Sequence, residues 1–467
     1  MKKIRLIELF AGYGSQALAL KRLGLDFEHY RVVEFDKYAV RSYNAIHNTN
    51  FEPLDIRDIH GKDLAITETD KYNYLMTYSF PCTDLSLAGK QAGMTRGSGT
   101  RSGLLWEVER ILKELSEGAP KLSLPQFLLM ENVSQVHSEQ NIKDFGEWIS
   151  FLDSLGYISK WQDLNAKDYG IPQNRERCFM VSYLDRSIKY AFPKPVKLEK
   201  TVKDFLEDKV SEKYYIKTEK AEELINKLII DTDNKDIIKL RANTNEGFIE
   251  LENGGLCDLS YPDSKSRRGR AQSLGRLCPT ITSSGDISKI EIETNIINPE
   301  PICLNSKDDN GKQPSLTDRV YSSNSTACYI TTSPFFNPHY LIKNKEDIKT
   351  QELIDLTTKA PQIKNLANCI TAHPNTIKTH IKEGNRVIEK DGYIYRIRKL
   401  TPLECFRLMD ISDSDAKKML AVNSETQCYK QAGNSIVVAV MVAIFNNLFL
   451  GGSEKEQAQI DIFDLLN

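Results

Sequence analysis

Cys82 follows Pro81 at the end of the run Leu75-Met76-Thr77-Tyr78-Ser79-Phe80, and a stretch dotted with glycines, from Gly89 to Gly103, comes after it. The run reads as a buried strand. Open α/β sheets do their chemistry outside the carboxyl ends of their strands, so a thiol at that point, at the root of a mobile loop, is placed as a nucleophile would be. A cysteine packed as a small hydrophobe satisfies the same dipeptide. Two companions bear on the choice. Glu131-Asn132-Val133 closes a second apolar run, Phe127-Leu128-Leu129-Met130, and Gln173-Asn174-Arg175-Glu176-Arg177 precedes a third, Cys178-Phe179-Met180-Val181.

The elements that must position these groups begin at the amino terminus. Residues 4–10 read as a first strand, and Ala11-Gly12-Tyr13-Gly14 as a tight turn into a helix over 15–23. A glycine turn at a helix start lets a ligand approach the backbone, although an ordinary strand-to-helix turn looks the same. Glu34 ends the next apolar run, about twenty residues beyond the turn, where doubly wound folds hold ribose hydroxyls; a plain surface carboxylate is the alternative. Helical spacing of apolar residues is clearest over 104–115, and residues 144–155 form a second candidate. Strand-like and helix-like segments alternate through the first 185 residues, the pattern of a mainly parallel sheet covered on both faces. From about Arg186 the chain turns to Lys-rich segments, short Ile/Thr stretches and turns such as Asn253-Gly254-Gly255 and Asp309-Asn310-Gly311, which suggest small, irregular β-structure. Helical character returns over 401–408, and an apolar segment spans 436–450.

In order along the chain, these segments resemble the motifs of the DNA (cytosine-5)-methyltransferases. Phe10-Ala11-Gly12-Tyr13-Gly14 is similar to the family's first cofactor motif, and Glu34 and Asp55-Ile56 to the acidic residues that follow. Pro81-Cys82 resembles the catalytic motif, Glu131-Asn132-Val133 the motif that activates the base, and Gln173-x-Arg175-x-Arg177 the family's Q-x-R-x-R. Arg398-x-Leu400-Thr401-Pro402-x-Glu404-x-x-Arg407-Leu408 looks like the ninth motif and Gly433-Asn434-Ser435 the tenth. The likeness covers roughly residues 1–185 and 396–446. It departs at Glu8, where Asp is usual, and at Ser15, where a second glycine is usual. The tract over 79–110 is most similar to bacterial CpG methylases of the mollicute type, which concerns the catalytic loop and leaves the target sequence open.

The resemblance implies a doubly wound, mainly parallel α/β sheet of the S-adenosylmethionine-dependent methyltransferase fold. Residues 1–185 would form the catalytic and cofactor-binding domain, completed by 415–467. A smaller, irregular β-rich target-recognition domain would take 186–414. It implies attack of Cys82 on C6 of a flipped-out cytosine and support of N3 by a protonated Glu131. Arg177 would fix Glu131 and the cytosine O2, and Arg175 would brace the catalytic loop. Phe10, Gly12, Gly14, Glu34, Asp55, Ile56, Pro81, Asn434 and Ser435 would hold S-adenosylmethionine. Residues 83–103 would be the closing loop, with Ser86, Arg96 and Arg101 on DNA. No metal is expected.

The 467 residues carry a net charge of −2, and the pI near 6.4 is not that of a protein basic all over. Contact with double-stranded DNA must then rest on local patches. Lys265-Ser266-Arg267-Arg268-Gly269-Arg270 is one, read as a groove-facing loop or simply as a solvated one. Nine cysteines without C-x-x-C pairing fit a reduced, cytoplasmic protein. Neither a membrane span nor a signal peptide is expected, since Glu8 and the glycine turn interrupt the first apolar run. Three segments of the variable region, 278–282, 327–331 and 368–371, end in Ile-Thr near a cysteine. The first best resembles the family's Thr-Leu-like recognition element and the third lies nearer the ninth motif; three β-branched strands are the plainer reading. A tRNA cytosine-5 methyltransferase on the same scaffold is a rival, disfavoured by the long variable region. A catalytically silent DNA-binding scaffold is another, disfavoured by the intact Cys82, Glu131, Arg175 and Arg177. Family habits suggest a monomer, with or without a separately acting restriction endonuclease.

Overall fold

The computed structural model describes residues 1–82, 85, 93–97, 100–118, 122–216, 218–234, 236–263, 270–283, 287–293, 320–322, 339–341, 388–390 and 393–451. Its first part runs β1 (Ile4–Leu9), α1 (Ser15–Arg22), β2 (Phe27–Val33), α2 (Lys37–His47), a single turn α3 (Gly61–Leu64), β3 (Asn73–Tyr78), α4 (Leu105–Glu117), β4 (Phe127–Asn132), α5 (Ile142–Ser154), β5 (Ile158–Asn165) and β6 (Glu176–Tyr183). The strands form one six-stranded sheet in the order β2-β1-β3-β4-β6-β5. β1 to β4 are parallel, and β6 is antiparallel to both β4 and β5, so five strands point one way. Successive residues alternate between two apolar clusters. Leu6, Leu75 and Leu129 join α1 on one face, whereas Ile7, Met76 and Leu128 meet α4 and α5 on the other. The sheet is therefore covered on both sides, as continuous apolar strands require. In α4, Leu105, Val108, Ile111, Leu112 and Leu115 are buried, the face that helical spacing picks out.

The variable region contains a helix that its composition did not suggest, α6 (Thr218–Leu228), followed by β7 (Ile229–Asn234), β8 (Ile237–Arg241) and β9 (Phe248–Glu252) in an antiparallel sheet. β10 (Leu256–Asp258), β11 (Ile287–Glu293), β14 (Ile388–Lys390) and β15 (Tyr393–Lys399) make a second sheet in the order β10-β11-β15-β14, and β12 (Val320–Ser322) pairs with β13 (His339–Leu341). Leu224, Leu228, Ile238, Leu251, Cys257 and Ile290 close one apolar cluster between α6 and the two larger sheets.

The chain then returns to the first sheet through α7 (Pro402–Arg407), α8 (Asp413–Val422), α9 (Glu425–Asn434) and α10 (Val438–Phe449). Thr401 caps α7 in a reciprocal box with Glu404, with Pro402 in the first turn. α10 lies against α1 and α8 against α2. Val440, Met441, Ile444 and Phe445 are buried in the cluster that holds Leu6 and Leu75, each worth roughly 1.5–3 kcal/mol. The stretch Glu425–Phe449 is long and apolar enough to cross a membrane by length and composition alone. It is interrupted between α9 and α10, and more than half of its most apolar window is buried inside the protein.

Candidate active site

Parallel strands bring their carboxyl ends to one edge of the sheet, and the antiparallel β6 brings its amino end to that same edge. Segments 10–14, 80–82, 131–133 and 173–177 therefore converge. Asn132 ties two of them: its Nδ2 donates to Phe80 O at 2.9 Å, and its Oδ1 accepts from Val133 N at 2.9 Å. Ser102 Oγ donates to Pro81 O at 2.7 Å, fixing the residue before Cys82. Glu131 is buried with its Oε1 3.4 Å from Arg177 Nε.

Cys82 is a half-buried free thiol. Burial pushes its pKa up; Arg177 and Arg175 pull it down, and Glu131 adds to the rise. Burial likewise raises the Glu131 carboxyl, against the pull of Arg177 and Arg175. A carboxyl held protonated can donate a hydrogen bond or a proton, and a thiol that gives up its proton on attack can serve as a nucleophile. Arg175 is 4% exposed. Its Nη1 donates to Ile281 O at 3.1 Å, and its Nη2 to Gly433 O at 2.8 Å and Ser435 O at 2.6 Å. Burial and the neighbouring Arg177 lower its pKa to about 9.

The glycine turn is built from left-handed backbone at Phe10 (φ 59°), Gly12 (58°) and Gly14 (83°). At Gly14 an added Cβ would lie 2.5 Å from His47 Nε2, so glycine is required there for space as well as conformation. At Gly12 nothing lies within 4 Å of a Cβ position, which leaves room for a ligand against the backbone. Glu34 takes Gly12 N at 2.9 Å and Asp36 N at 2.8 Å, and burial raises its pKa. Asp55 opens a short 3-10 turn with Ile56 buried behind it, and Arg57 lowers its pKa. Asn434 is exposed at the end of α9. Ser435 Oγ sits 3.0 Å from Ser15 Oγ, joining the α9–α10 turn to the start of α1. Two residues escaped the sequence reading. Phe35, 72% exposed, follows Glu34 directly, and Leu54, 42% exposed, donates its N–H to Glu34 O at 2.9 Å. An aromatic residue immediately after a strand-end acid was the available signal.

The expected DNA contacts fare differently. Ser86, Arg267 and Arg268 lie outside the described residues. Arg101 is exposed just before α4. Arg96 is not held out from its loop: it pairs with Glu109 at 2.5 and 3.1 Å and lies 4.1 Å over the Trp106 ring, stapling the loop to α4. Arg270 is 5% exposed, not on a solvated surface, because its Nη2 donates to Tyr261 O at 2.5 Å and Pro262 O at 3.2 Å. Of the three Ile-Thr segments, 278–282 docks beside Gln173 and Arg175; 327–331 and 368–371 lie outside the described residues.

Among the described residues one trio of possible metal ligands comes together, His137, Asp163 and Cys178, within 4.8 Å of one another. Asp163 and Asn132 both pair across strands with Cys178, so the trio occupies the sheet face opposite Glu131 and Arg177. His137 Nε2 lies 3.0 Å from both Asp163 oxygens, and the Cys178 thiol is buried with its pKa raised.

The chain is similar to several known methyltransferases. The M.SssI orphan methyltransferase of the mollicute Spiroplasma monobiae is 31% identical over 344 residues, 62% of this chain and 82% of that protein. The type II methyltransferase M2.ScrFI of Lactococcus lactis subsp. cremoris is 34% identical over 261 residues, 46% of this chain and 70% of its own length. The orphan methyltransferase M.SPRI of Bacillus phage SPR is 27% identical over 490 residues, 98% and 100% of the two chains. Among solved structures, the Entamoeba histolytica methyltransferase EhMeth superposes with a TM-score of 0.52 at 15% identity, over 97% of this chain and 100% of that one. A DNMT2 variant of Spodoptera frugiperda gives 0.50 at 15% identity, over 96% and 100%; both speak for the fold. The model of the C-5 cytosine-specific DNA methylases matches residues 4–450, and the chain belongs to that family.

Proposed function

We propose that this protein methylates C5 of cytosine within a specific sequence of double-stranded DNA, with S-adenosylmethionine as donor. The observation that carries the reading is the meeting of Cys82, Glu131 and Arg177 at one edge of the sheet. Cytosine C5 is too weak a nucleophile to take a methyl group unaided. Attack of the Cys82 sulfur on C6 pushes the C5–C6 π electrons into the ring, and Glu131 supplies a proton or hydrogen bond at N3 to receive that charge. Arg177 orients Glu131 and offers its guanidinium to O2. C5 is then electron-rich. After transfer, loss of the C5 proton reforms the double bond and expels Cys82. A base inside a duplex cannot present C6 to a thiol, so the cytosine is flipped out.

The donor's pocket fits the glycine turn. Open space at Gly12 admits a ligand against the backbone, Glu34 stands ready for ribose hydroxyls, and the exposed Phe35 and Leu54 give apolar faces for an adenine ring. Phe10, Gly14, Asp55, Ile56, Pro81, Asn434 and Ser435 complete its walls. S-adenosylmethionine supplies an electrophilic methyl group on a sulfonium, and the protein's part is alignment. Residues 1–185 with the carboxy-terminal helices form the catalytic unit, and 186–414 read the target. The protein acts as a cytoplasmic monomer, either beside a separate endonuclease or as a stand-alone protector.

The test is methylation of mixed-sequence DNA with labelled S-adenosylmethionine, wild type against Cys82→Ala, followed by base-resolution mapping. Label on cytosine C5 in one short motif, absent from the variant, supports the reading. Activity surviving in Cys82→Ala would sink the nucleophile. Label on tRNA alone would move the protein to the RNA enzymes, and DNA binding without label would make it a silent scaffold.

A further inference from the structure

Behind the Cys82 cluster, three segments distant in sequence are fastened at one point. Residues 278–283 run as a strap beside 172–175. Asn174 N donates to Cys278 O and Cys278 N to Pro172 O, both at 2.8 Å, and Thr280 Oγ1 donates to Asn174 O at 2.5 Å. The strap ends against Gly433, where an added Cβ would stand 2.3 Å from both Ser283 N and Thr282 C. Those are backbone atoms and cannot swing aside. Arg175 spans the joint, holding Ile281 O with one nitrogen and the carbonyls of Gly433 and Ser435 with the other. Ser435 continues the line to Ser15 at the start of α1.

At its other end the strap leads into a tip of unusual backbone. Ser273 (φ 48°), Leu274 (56°) and Gly275 (80°) are left-handed in succession, which costs roughly 1–2 kcal/mol for each non-glycine. Such backbone persists only where its surroundings enforce it. Here the space beside Gly275 is filled by Gly255 Cα and Leu256 N, 2.8 and 2.9 Å from a Cβ position, and Arg276 pairs with Glu252. Ser273 is exposed at the tip. Residues 270–283 are thus constrained at both ends.

We propose that this strap transmits DNA engagement by the variable region to the cofactor side of the site, with Thr280 and Gly433 as positioning residues at its root. The inference rests on the function proposed above. A tip displaced or steadied by DNA moves the root against the turn at Gly433–Ser435, and the walls formed by Asn434 and Ser435 follow. DNA that steadies the strap in the arrangement seen here favours those walls, and linkage makes the gain reciprocal, DNA and cofactor strengthening each other's binding by the same factor.

Calorimetric titration of S-adenosylhomocysteine tests this, without DNA, with a duplex carrying the sequence mapped for the wild type, and with a scrambled duplex. The wild type is expected to bind at least about fivefold more tightly with the mapped duplex than with the scrambled one. Thr280→Val loses the hydrogen bond to Asn174 away from the cofactor turn. It should keep its affinity without DNA within about twofold and lose most of the gain. Gly433→Ala should lose the gain as well; should it fail to fold, Thr280→Val decides alone. A full gain retained in Thr280→Val, or no gain in the wild type, overturns the proposal. A wild type that binds S-adenosylhomocysteine yet labels no DNA in the parallel methylation control instead overturns the proposed function, and this inference falls with it.

Discussion

Arg175 and Arg398 are both buried, 4% and 2% exposed, and they are held in opposite ways. Arg398, on β15, makes a two-pronged pair with Glu404 of α7, both bonds 2.8 Å. Glu404 also accepts from Thr401 N at 2.8 Å and Glu207 N at 2.9 Å. Burial works against the Arg398 charge, yet Glu404 outweighs it and the pKa stands above its usual value. Arg175 has only carbonyls as direct partners, its Nε has none, and its pKa falls to about 9. The first arrangement is a closed lock between the variable region and the returning helices. The second leaves a charge with no carboxylate bonded to it, whose pull reaches Cys82 and Glu131. Full pairing gives rigidity, and partial pairing keeps an electrostatic field available to a substrate.

The contrast can be broken most directly on the open side. Cys82→Ala should lower methyl transfer by about 10⁴-fold or more, with the melting temperature unchanged, as read by single-turnover kinetics and thermal unfolding. On the closed side, Glu404→Ala strands the buried Arg398 and should cost roughly 3–5 kcal/mol of stability in a denaturant titration. A loss under about 1 kcal/mol would mean that the pair is no lock. Glu131→Gln should reduce the rate by about 10²–10⁴-fold without loss of stability. The wild-type rate should also fall as pH rises through the raised pKa of Glu131, a limb that the amide lacks.

The smallest effect lies at Glu8, which stands between the two cases. Its Oε2 accepts from Tyr43 Oη at 2.5 Å, while its buried Oε1 has no partner. Burial raises its pKa to about 8. The stability this group contributes is complete below the ordinary carboxyl range and is lost as pH climbs through 8. His47, lowered to about 4 by burial, acts with the opposite sign below its ordinary value near 6.5. Glu8 is therefore best isolated between pH 6.5 and 8. There the Glu8 contribution should decline by at most about 1.4 kcal/mol per unit, and Glu8→Gln should remove that part of the slope.

The catalytic edge was legible because its chemistry sits where apolar runs stop. Cys82 follows one strand, Glu131 closes another, and Arg175 and Arg177 open a third; periodicity marked those places, and the resemblance to the family's motifs attached roles to them. What sequence could not give depends on distant partners. Arg96 is half exposed, but its pairing with Glu109 and its packing over Trp106, both on α4, could not be read from its own loop. Arg270 stood in a basic run, but backbone carbonyls of 261 and 262 bury it. The docking of 278–282 beside Gln173 joins residues more than a hundred positions apart, which local sequence does not reveal. Helix α6 lies in a Lys- and Glu-rich stretch where only Ala221, Leu224, Ile225 and Leu228 mark the buried face, too thin a stripe to stand out from the charged residues around it.

The packing of α10 on α1 has a consequence for how the protein is made. Ser15 meets Ser435, and Arg22 pairs with Asp410, contacts that close chain loops of nearly the whole length. Until α10 has been made, the face of the sheet around Leu6 and Leu75 is covered only in part, by α1. The strands β1 and β3 must wait, with apolar surface open, while more than three hundred residues are synthesised between them and α10. Such long-range closure makes folding slow and leaves the nascent chain exposed to aggregation. It also orders assembly: the turn carrying Asn434 and Ser435 follows the six-stranded sheet by more than two hundred residues, so the proposed cofactor site cannot be complete until that turn is made.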